Sequence, residues 1–462
     1  MNKANSTGGA MIDMDQPVIV FSHDNHISPS NEDLVPYLPK ENVKDFEAHL
    51  KSATEKLSSM MATVPTGLET FMARDALNQS TGGGSDIHAH IRDMDRAGVA
   101  GNIIMHGGSY SPFPFANFDF IFGSISSEKE PTAEELRLLR IGMRTYNRWL
   151  ADAVSVDPQR FVGVAHMPYW DPEACLEEVI FAGEAGLSGM MLPPPRIGFI
   201  EYDRTEWDRV WEACAQRNIH LQTHLGAVVP DQFTTYLTRP SPKYFSAIAA
   251  MEGARWPNYR ALHRLVFGGV FERYPNLKLI FTETENFWNQ ALIEMDLTYD
   301  ACYDSLQEIL PRRPSEYCRT NVLIGASFMS RYEAKTAVRG GWTGNFMWGI
   351  DYPHPEGCWK APESDDEEST VKLNLRDTFC EIAPEDTLKF IGENAIRVYG
   401  LDRERLQEKA DSINALTLNQ IGRPVPRDEI PGLDGFVNPV LWGAFHKPDP
   451  QATIDRITGG SR

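Results

Sequence analysis

Pro17-Val18-Ile19-Val20-Phe21-Ser22-His23-Asp24-Asn25-His26 begins as a buried strand and ends in ionisable side chains. Val18 to Phe21 form an unbroken apolar run, the pattern of a strand covered on both faces, and the loop formers Ser28, Pro29 and Ser30 follow closely. Side chains alternate across a strand, so Asp24 and His26 share one side while His23 and Asn25 share the other. A carboxylate and an imidazole on one side of a strand end can take one cation between them.

Seven further apolar runs repeat this design: Gly101 to His106, Arg160 to His166, Leu187 to Leu192, Ile219 to His224, Leu277 to Glu283, Asn321 to Gly325 and Asn345 to Asp351. Amphipathic stretches lie between them, among them Asp86 to Ala97, Pro172 to Ala185, Thr205 to Gln216 and Asn286 to Asp300, with acidic or hydroxyl residues at their starts. Strand and helix alternating eight times predict an α/β fold, a (β/α)8 TIM barrel with its active site at the C-terminal ends of the strands. The competing architecture is a doubly wound open sheet, but no glycine-rich phosphate loop follows the first strand.

Three connections leaving the catalytic face are long: Ser28 to Gly84, Gly107 to about Glu134 and Ala227 to about Asn258. They are expected to cover the barrel mouth. Residues 1–16 read as an extended N-terminus, 17–402 as the barrel and 403–462 as a Pro- and Gly-rich C-terminal extension that packs on the barrel or on a partner subunit. The acidic run Glu363-Ser364-Asp365-Asp366-Glu367-Glu368 reads as a solvated turn.

The chain has 462 residues, 42% hydrophobic and 23% charged, a composition suited to a large globular core. Its formal net charge of -20 disfavours nucleic acid and anionic membranes as partners and favours a small-molecule substrate. The six cysteines lack paired spacing and read as reduced thiols, and Met1 to Gln16 has no apolar signal core, so a cytoplasmic protein is expected.

The strand ends collect Asp24, His26, His106, His166, His224, Glu283 and Asp351. Of these, Asp24, His26, His224 and Asp351 make a mixed nitrogen and oxygen set for one divalent cation, with Asp351 also placed to move a proton. His354, three residues after Asp351 and beyond a proline, is a further catalytic candidate. His106 and His166 are weaker pocket candidates. His88 and His90 imitate a His-x-His motif at the start of a helix, where residues two apart do not share a face, and are expected to be surface or capping residues.

These residues resemble the amidohydrolase-related family of the metal-dependent amidohydrolase superfamily, whose members are (β/α)8 hydrolases and non-oxidative decarboxylases. The resemblance runs from Val18 to about Asp402 through Ser22-His23-Asp24-Asn25-His26-Ile27, Arg92 to Val99, Tyr146-Asn147-Arg148-Trp149, Thr223-His224-Leu225-Gly226, Thr282-Glu283 with Trp288, Gly349 to Gly357, and Asn394-Ala395. It implies a metal set on Asp24, His26, His224 and Asp351, with a carboxylate in place of the first histidine. It also puts Glu283 where the superfamily carries a sixth-strand histidine, and Gly189, Met190 and Met191 where a fourth-strand lysine would stand, so a mononuclear centre is expected.

Catalytic roles then fall to Asp351, Glu283 and His354, with zinc first among the candidate ions and manganese, cobalt and iron as alternatives. The expected activity is hydrolysis of an amide, urea or carbamate-type C–N bond by metal-activated water, a choice resting on the chain's length. The alternative is metal-dependent, non-oxidative decarboxylation of an aromatic or unsaturated carboxylic acid. A homo-oligomer is expected.

Overall fold

The computed structural model describes residues 12–61, 69–108, 113–116, 131–196, 198–224, 256–283, 288–327, 329–364 and 366–426. Eight parallel strands follow one another in sequence order: β1 Phe21–Ser22, β2 Gly101–Ile104, β3 Phe161–His166, β4 Gly189–Met191, β5 His220–His224, β6 Leu279–Thr282, β7 Val322–Ala326 and β8 Phe346–Trp348. Closure between the first and last comes from single backbone contacts past the strand ends. His23 N donates to Trp348 O at 2.9 Å, His26 N donates to Tyr352 O at 2.7 Å, and Asn25 pairs with Tyr352 as a parallel bridge. The expected (β/α)8 barrel is the observed fold.

Two of the helices between strands start where the sequence places a cap. Asp86 accepts from Ala89 N to open Ile87–Ala97, and Asp171 accepts from Glu173 N and Ala174 N to open Pro172–Glu184, with Pro172 in the first turn. Gly98, at φ 76° in the left-handed region, ends the first of these helices, a conformation that favours glycine. The stretch expected as one helix from Thr205 divides into a 3-10 turn, Thr205–Trp207, and the helix Asp208–Arg217. Trp288–Ala301 forms the helix expected from Asn286; Asn286 itself lies outside the described residues.

Two apolar layers hold the barrel. Inside, Phe21, Ile103, Met105, Val162, Val164, Met191, Ile280, Leu323 and Met347 meet from the strands, and Ala395, Val398 and Tyr399 close the lower end from the helix Asn394–Tyr399. The Tyr399 hydroxyl lies 2.6 Å from both His23 Nε2 and Gln222 Nε2; it accepts from the amide and donates to the imidazole. Thus His23 faces the barrel floor while Asp24 and His26 face the mouth. Outside, the strands' other faces pack on the helices in one continuous core.

Residues 403–426 depart from the sparse core pattern read in the sequence. The helix Arg403–Ser412 sets Leu406 and Ala410 against Ile19, Ala100 and Ala415, and Val18 N donates to Leu416 O at 2.8 Å. Only two apolar side chains of that helix are buried, which is too few to show a helical period. Residues 1–11 and 427–462 and the fifth-strand connection 225–255 lie outside the described residues, as do 109–112 and 117–130 of the second-strand connection. All six cysteines are free, and among the described residues no helix is long and apolar enough to cross a membrane.

Two buried histidines away from the strand-end donors give the fold a pH signature. Burial pushes His90 and His220 down from 6.5 to about 4. A depressed histidine binds its proton more readily in the unfolded chain, so this stability is fully present above about pH 6.5 and is lost as pH falls toward 4. Each group contributes a slope of up to about 1.4 kcal/mol per pH unit in that window. Denaturant midpoints measured from pH 7.5 down to 4.5 are expected to fall with that steepness, and a flat profile would contradict it.

Candidate metal centre

Asp24 and His26 follow β1, His224 ends β5, Glu283 follows β6, and Asp351 lies beyond β8. The carboxylates are deeply buried: Asp24 and Asp351 are 0% exposed and Glu283 is 4% exposed. Glu283 and Asp351 sit at φ 61° and 53°, in the left-handed region that costs a non-glycine residue about 1–3 kcal/mol. Such turns aim both side chains into the barrel mouth. Gly349 allows the approach of the eighth strand to the first, because a Cβ there would lie 2.8 Å from Asp24 Cβ.

Nitrogen and oxygen donors form overlapping clusters. His26 Nε2 is 3.0 Å from Asp24 Oδ1 and 3.5 Å from Asp351 Oδ1, and His224 Nε2 is 3.3 Å from Asp24 Oδ1. Donor atoms of Asp24, His26 and His224 all lie within 4.8 Å of one another, as do those of His26, Asp351 and His354 and those of Asp24, Glu283 and Asp351. The four metal-set residues named from the sequence are therefore brought together, and so are Glu283 and His354.

The local hydrogen bonds orient these donors. His26 Nδ1 lies 2.8 Å from the carbonyl of His106, so Nδ1 carries a proton and donates, leaving Nε2 toward the two carboxylates. An imidazole lone pair facing two carboxylates needs a positive charge between them. In the absence of a metal ion a proton supplies it: burial and the His354 charge oppose protonation, but hydrogen bonds to Asp24 and Asp351 raise the His26 pKa. Burial works against the Asp24 charge too, yet the nearby His224 and His26 hold that carboxyl well below its usual range. Asp351 Oδ2 is buried with no hydrogen-bond partner among the described residues. A divalent ion fits this arrangement because it would replace the proton and satisfy the remaining oxygen.

His354 has a different character. Its Nδ1 is 2.8 Å from Asp351 Oδ1 and its Nε2 is 2.9 Å from Gly107 O, so both ring nitrogens face acceptors and both donate. This ring is an imidazolium. Burial lowers its pKa, but the Asp351 charge and hydrogen bond outweigh that and hold it up to about 10.

Two supporting residues escaped sequence reading. Ser327 Oγ donates to Asp24 Oδ2, but it lies two residues beyond the expected seventh strand. Asn78, from the helix Glu69–Gln79 in the first-strand insertion, donates through Nδ2 to Pro353 O at 2.8 Å and accepts from Ala361 N at 2.9 Å. It thereby fastens both ends of the loop that follows Asp351. Neither residue carries a local signal, since each acts on a partner hundreds of positions away.

His106 contributes its carbonyl to His26, while its ring packs with Phe113, Tyr146 and His166 at centroid distances of 5.0 to 6.4 Å. Asn147 brackets the end of β3, accepting from His166 N at 2.7 Å and donating to His166 O at 2.8 Å. One expectation is corrected here. His88 is exposed, but His90 is fully buried, 3.3 Å from Asn102 Oδ1 and edge-on to Tyr352, because His90, Met94 and Ala97 form the core-facing stripe of their helix. Neither belongs to the donor clusters.

Comparison with known proteins adds the chemistry of relatives. The amidohydrolase family model matches residues 85–401. A 2-amino-3-carboxymuconate-6-semialdehyde decarboxylase of Dictyostelium discoideum is 23% identical over 55% of this chain and 66% of its own length. A gamma-resorcylate decarboxylase of Polaromonas sp. is 28% identical over 30% of this chain and 42% of its own. Each match thus spans less than two thirds of the curated relative. Among solved structures, the 5-carboxyvanillate decarboxylase of Novosphingobium aromaticivorans, crystallised with bound manganese, superimposes with a TM-score of 0.54 at 17% identity, covering 84% of this chain and 100% of that one.

These relatives overturn the expectation of C–N hydrolysis, since they are named as decarboxylases. That expectation rested on chain length. A shorter decarboxylase fold fits whole within 84% of this chain, so the added length belongs to insertions and extensions around the barrel and does not report which bond is broken. With the family match spanning most of the barrel and the strand-end donors in place, this chain belongs to the amidohydrolase family.

Proposed function

We propose that this protein is a metal-dependent, non-oxidative decarboxylase of an aromatic or unsaturated carboxylic acid. The observation that carries the proposal is the set of overlapping donor clusters through Asp24, His26, His224 and Asp351 at the strand ends of a chain whose curated relatives are named decarboxylases. These four residues would hold one divalent ion, and manganese is the first to test because a solved relative contains it. When bound, the ion would supply positive charge and an anchoring point for the substrate carboxylate and a neighbouring oxygen.

The chain's own groups supply the rest. In the reaction the bond between the carboxylate carbon and its unsaturated neighbour breaks, carbon dioxide leaves, and the electron pair left on the neighbouring carbon takes a proton. Asp351, buried at the ion site and paired with His354, is the group placed to pass that proton. His354 keeps a fixed positive charge beside Asp351 and ties it to Gly107 of the second-strand connection. The rings of His106, Phe113, Tyr146 and His166 pack on one another behind the His106 carbonyl that orients His26.

The test is direct. Manganese-loaded protein is incubated with hydroxybenzoic acids and amino-substituted unsaturated acids in deuterium oxide, and carbon dioxide and product are followed. The expected result is carbon dioxide release with one deuterium at the vacated carbon. Turnover of amides or carbamates without carbon dioxide release from any acid would reject the proposal.

A further inference from the structure

We infer that Glu283 is a donor to the ion itself, and that this third carboxylate narrows the usual advantage of zinc over manganese at the site. The inference rests on the proposed placement of one ion among Asp24, His26, His224 and Asp351. It goes beyond that placement by assigning a fifth donor and a metal preference, in place of the catalytic role expected of Glu283 from the sequence.

Three observations support it. Carboxylate oxygens of Asp24, Glu283 and Asp351 lie within 4.8 Å of one another, a separation that bonds of about 2.1 Å to a shared ion nearly span. Glu283 Oε2 is 3.6 Å from His224 Nδ1, beyond the roughly 3.2 Å limit of a good hydrogen bond, so this contact does not make Glu283 the supporting acceptor that often fixes a ligand histidine. Asp351, a member of the same trio, has its Oδ2 buried without a hydrogen-bond partner among the described residues, an oxygen that a shared ion would satisfy.

The chemistry of the set follows from its composition. With Glu283 the centre has three carboxylates and two imidazoles, against two carboxylates and three imidazoles if a histidine stood at that position. Zinc favours four donors with nitrogen or sulfur well represented, whereas carboxylate oxygen at higher coordination suits manganese and magnesium. Zinc still binds nitrogen and oxygen sites more tightly than manganese in absolute terms. The quantity that reports Glu283 is therefore the ratio of the two affinities.

Dissociation constants for manganese and zinc are measured by competition with a chromophoric chelator, for the unsubstituted chain, Glu283→Gln, Glu283→His and His224→Ala. Electron paramagnetic resonance follows bound manganese, and circular dichroism checks folding. Loss of the carboxylate in Glu283→Gln is expected to weaken manganese by more than about 100-fold, beyond what losing a supporting group costs, and zinc by less than about tenfold. The Glu283→His chain should favour zinc further, and the manganese spectrum should change in both variants. If Glu283→Gln binds both ions unchanged while His224→Ala loses them, the ion site stands and Glu283 is not a donor. Equal weakening of both ions overturns the preference. Undiminished binding of both ions by His224→Ala rejects the ion placement and removes the basis of the inference.

Discussion

Replacing His26 by alanine is expected to empty the ion site, reduce turnover to background and destabilise the fold. His26 stands at the centre of the donor set, with Nε2 3.0 Å from Asp24 Oδ1 and 3.5 Å from Asp351 Oδ1. Its removal deletes one donor and leaves two fully buried carboxylates facing a cavity. Loss of supporting groups alone weakens metal sites by about 10- to 100-fold, and loss of a ligand should exceed that. Uncoupling a buried charge from its partner costs about 3–5 kcal/mol when nothing replaces it. Metal content after dialysis, carbon dioxide release and denaturant midpoint are the three measurements. A His26→Ala chain that keeps its ion and its turnover would place the metal elsewhere.

Strand identity was legible because apolar runs report burial, and the ends were legible because ionisable residues interrupt them. The nearness of Asp24, His26, His224 and Asp351 was legible on that basis, although β1 has only the two residues Phe21–Ser22 in the sheet ladder. Closure of the barrel depends instead on single hydrogen bonds such as His23 N to Trp348 O, which no periodicity encodes. Buried polar contacts were harder still. Asn78 and Ser327 hold the loop after Asp351 and the Asp24 carboxylate, but their importance arises only from partners distant in the chain. His90 misled because a place at the helix start, off the face of His88, was read as a surface or capping position, whereas the spacing of His90, Met94 and Ala97 was the better guide. Residue types at the strand ends did not separate hydrolysis from decarboxylation; the names of the curated relatives speak against the first.

Asp351→Asn is expected to lower turnover by about 100- to 10,000-fold, the range for losing a proton-transfer group, while keeping part of the ion through its amide oxygen. The substitution preserves shape at a fully buried position, so the effect should be on charge more than on packing. It should also release His354. Burial alone would lower that imidazole's pKa, and the Asp351 charge is foremost among the effects that hold it up to about 10. Removing the charge should therefore let His354 lose its proton at lower pH, nearer the ordinary histidine value of about 6.5. Nuclear magnetic resonance titration of His354, run on the unsubstituted and Asp351→Asn chains alongside metal content and carbon dioxide release, separates the two consequences. If turnover falls only as far as metal occupancy and the His354 titration stays in place, Asp351 is a ligand without the proton role assigned to it. If both fall away from the ion content as expected, the carboxylate acts on the proton as well as the metal, and His354 owes its charge to that same group.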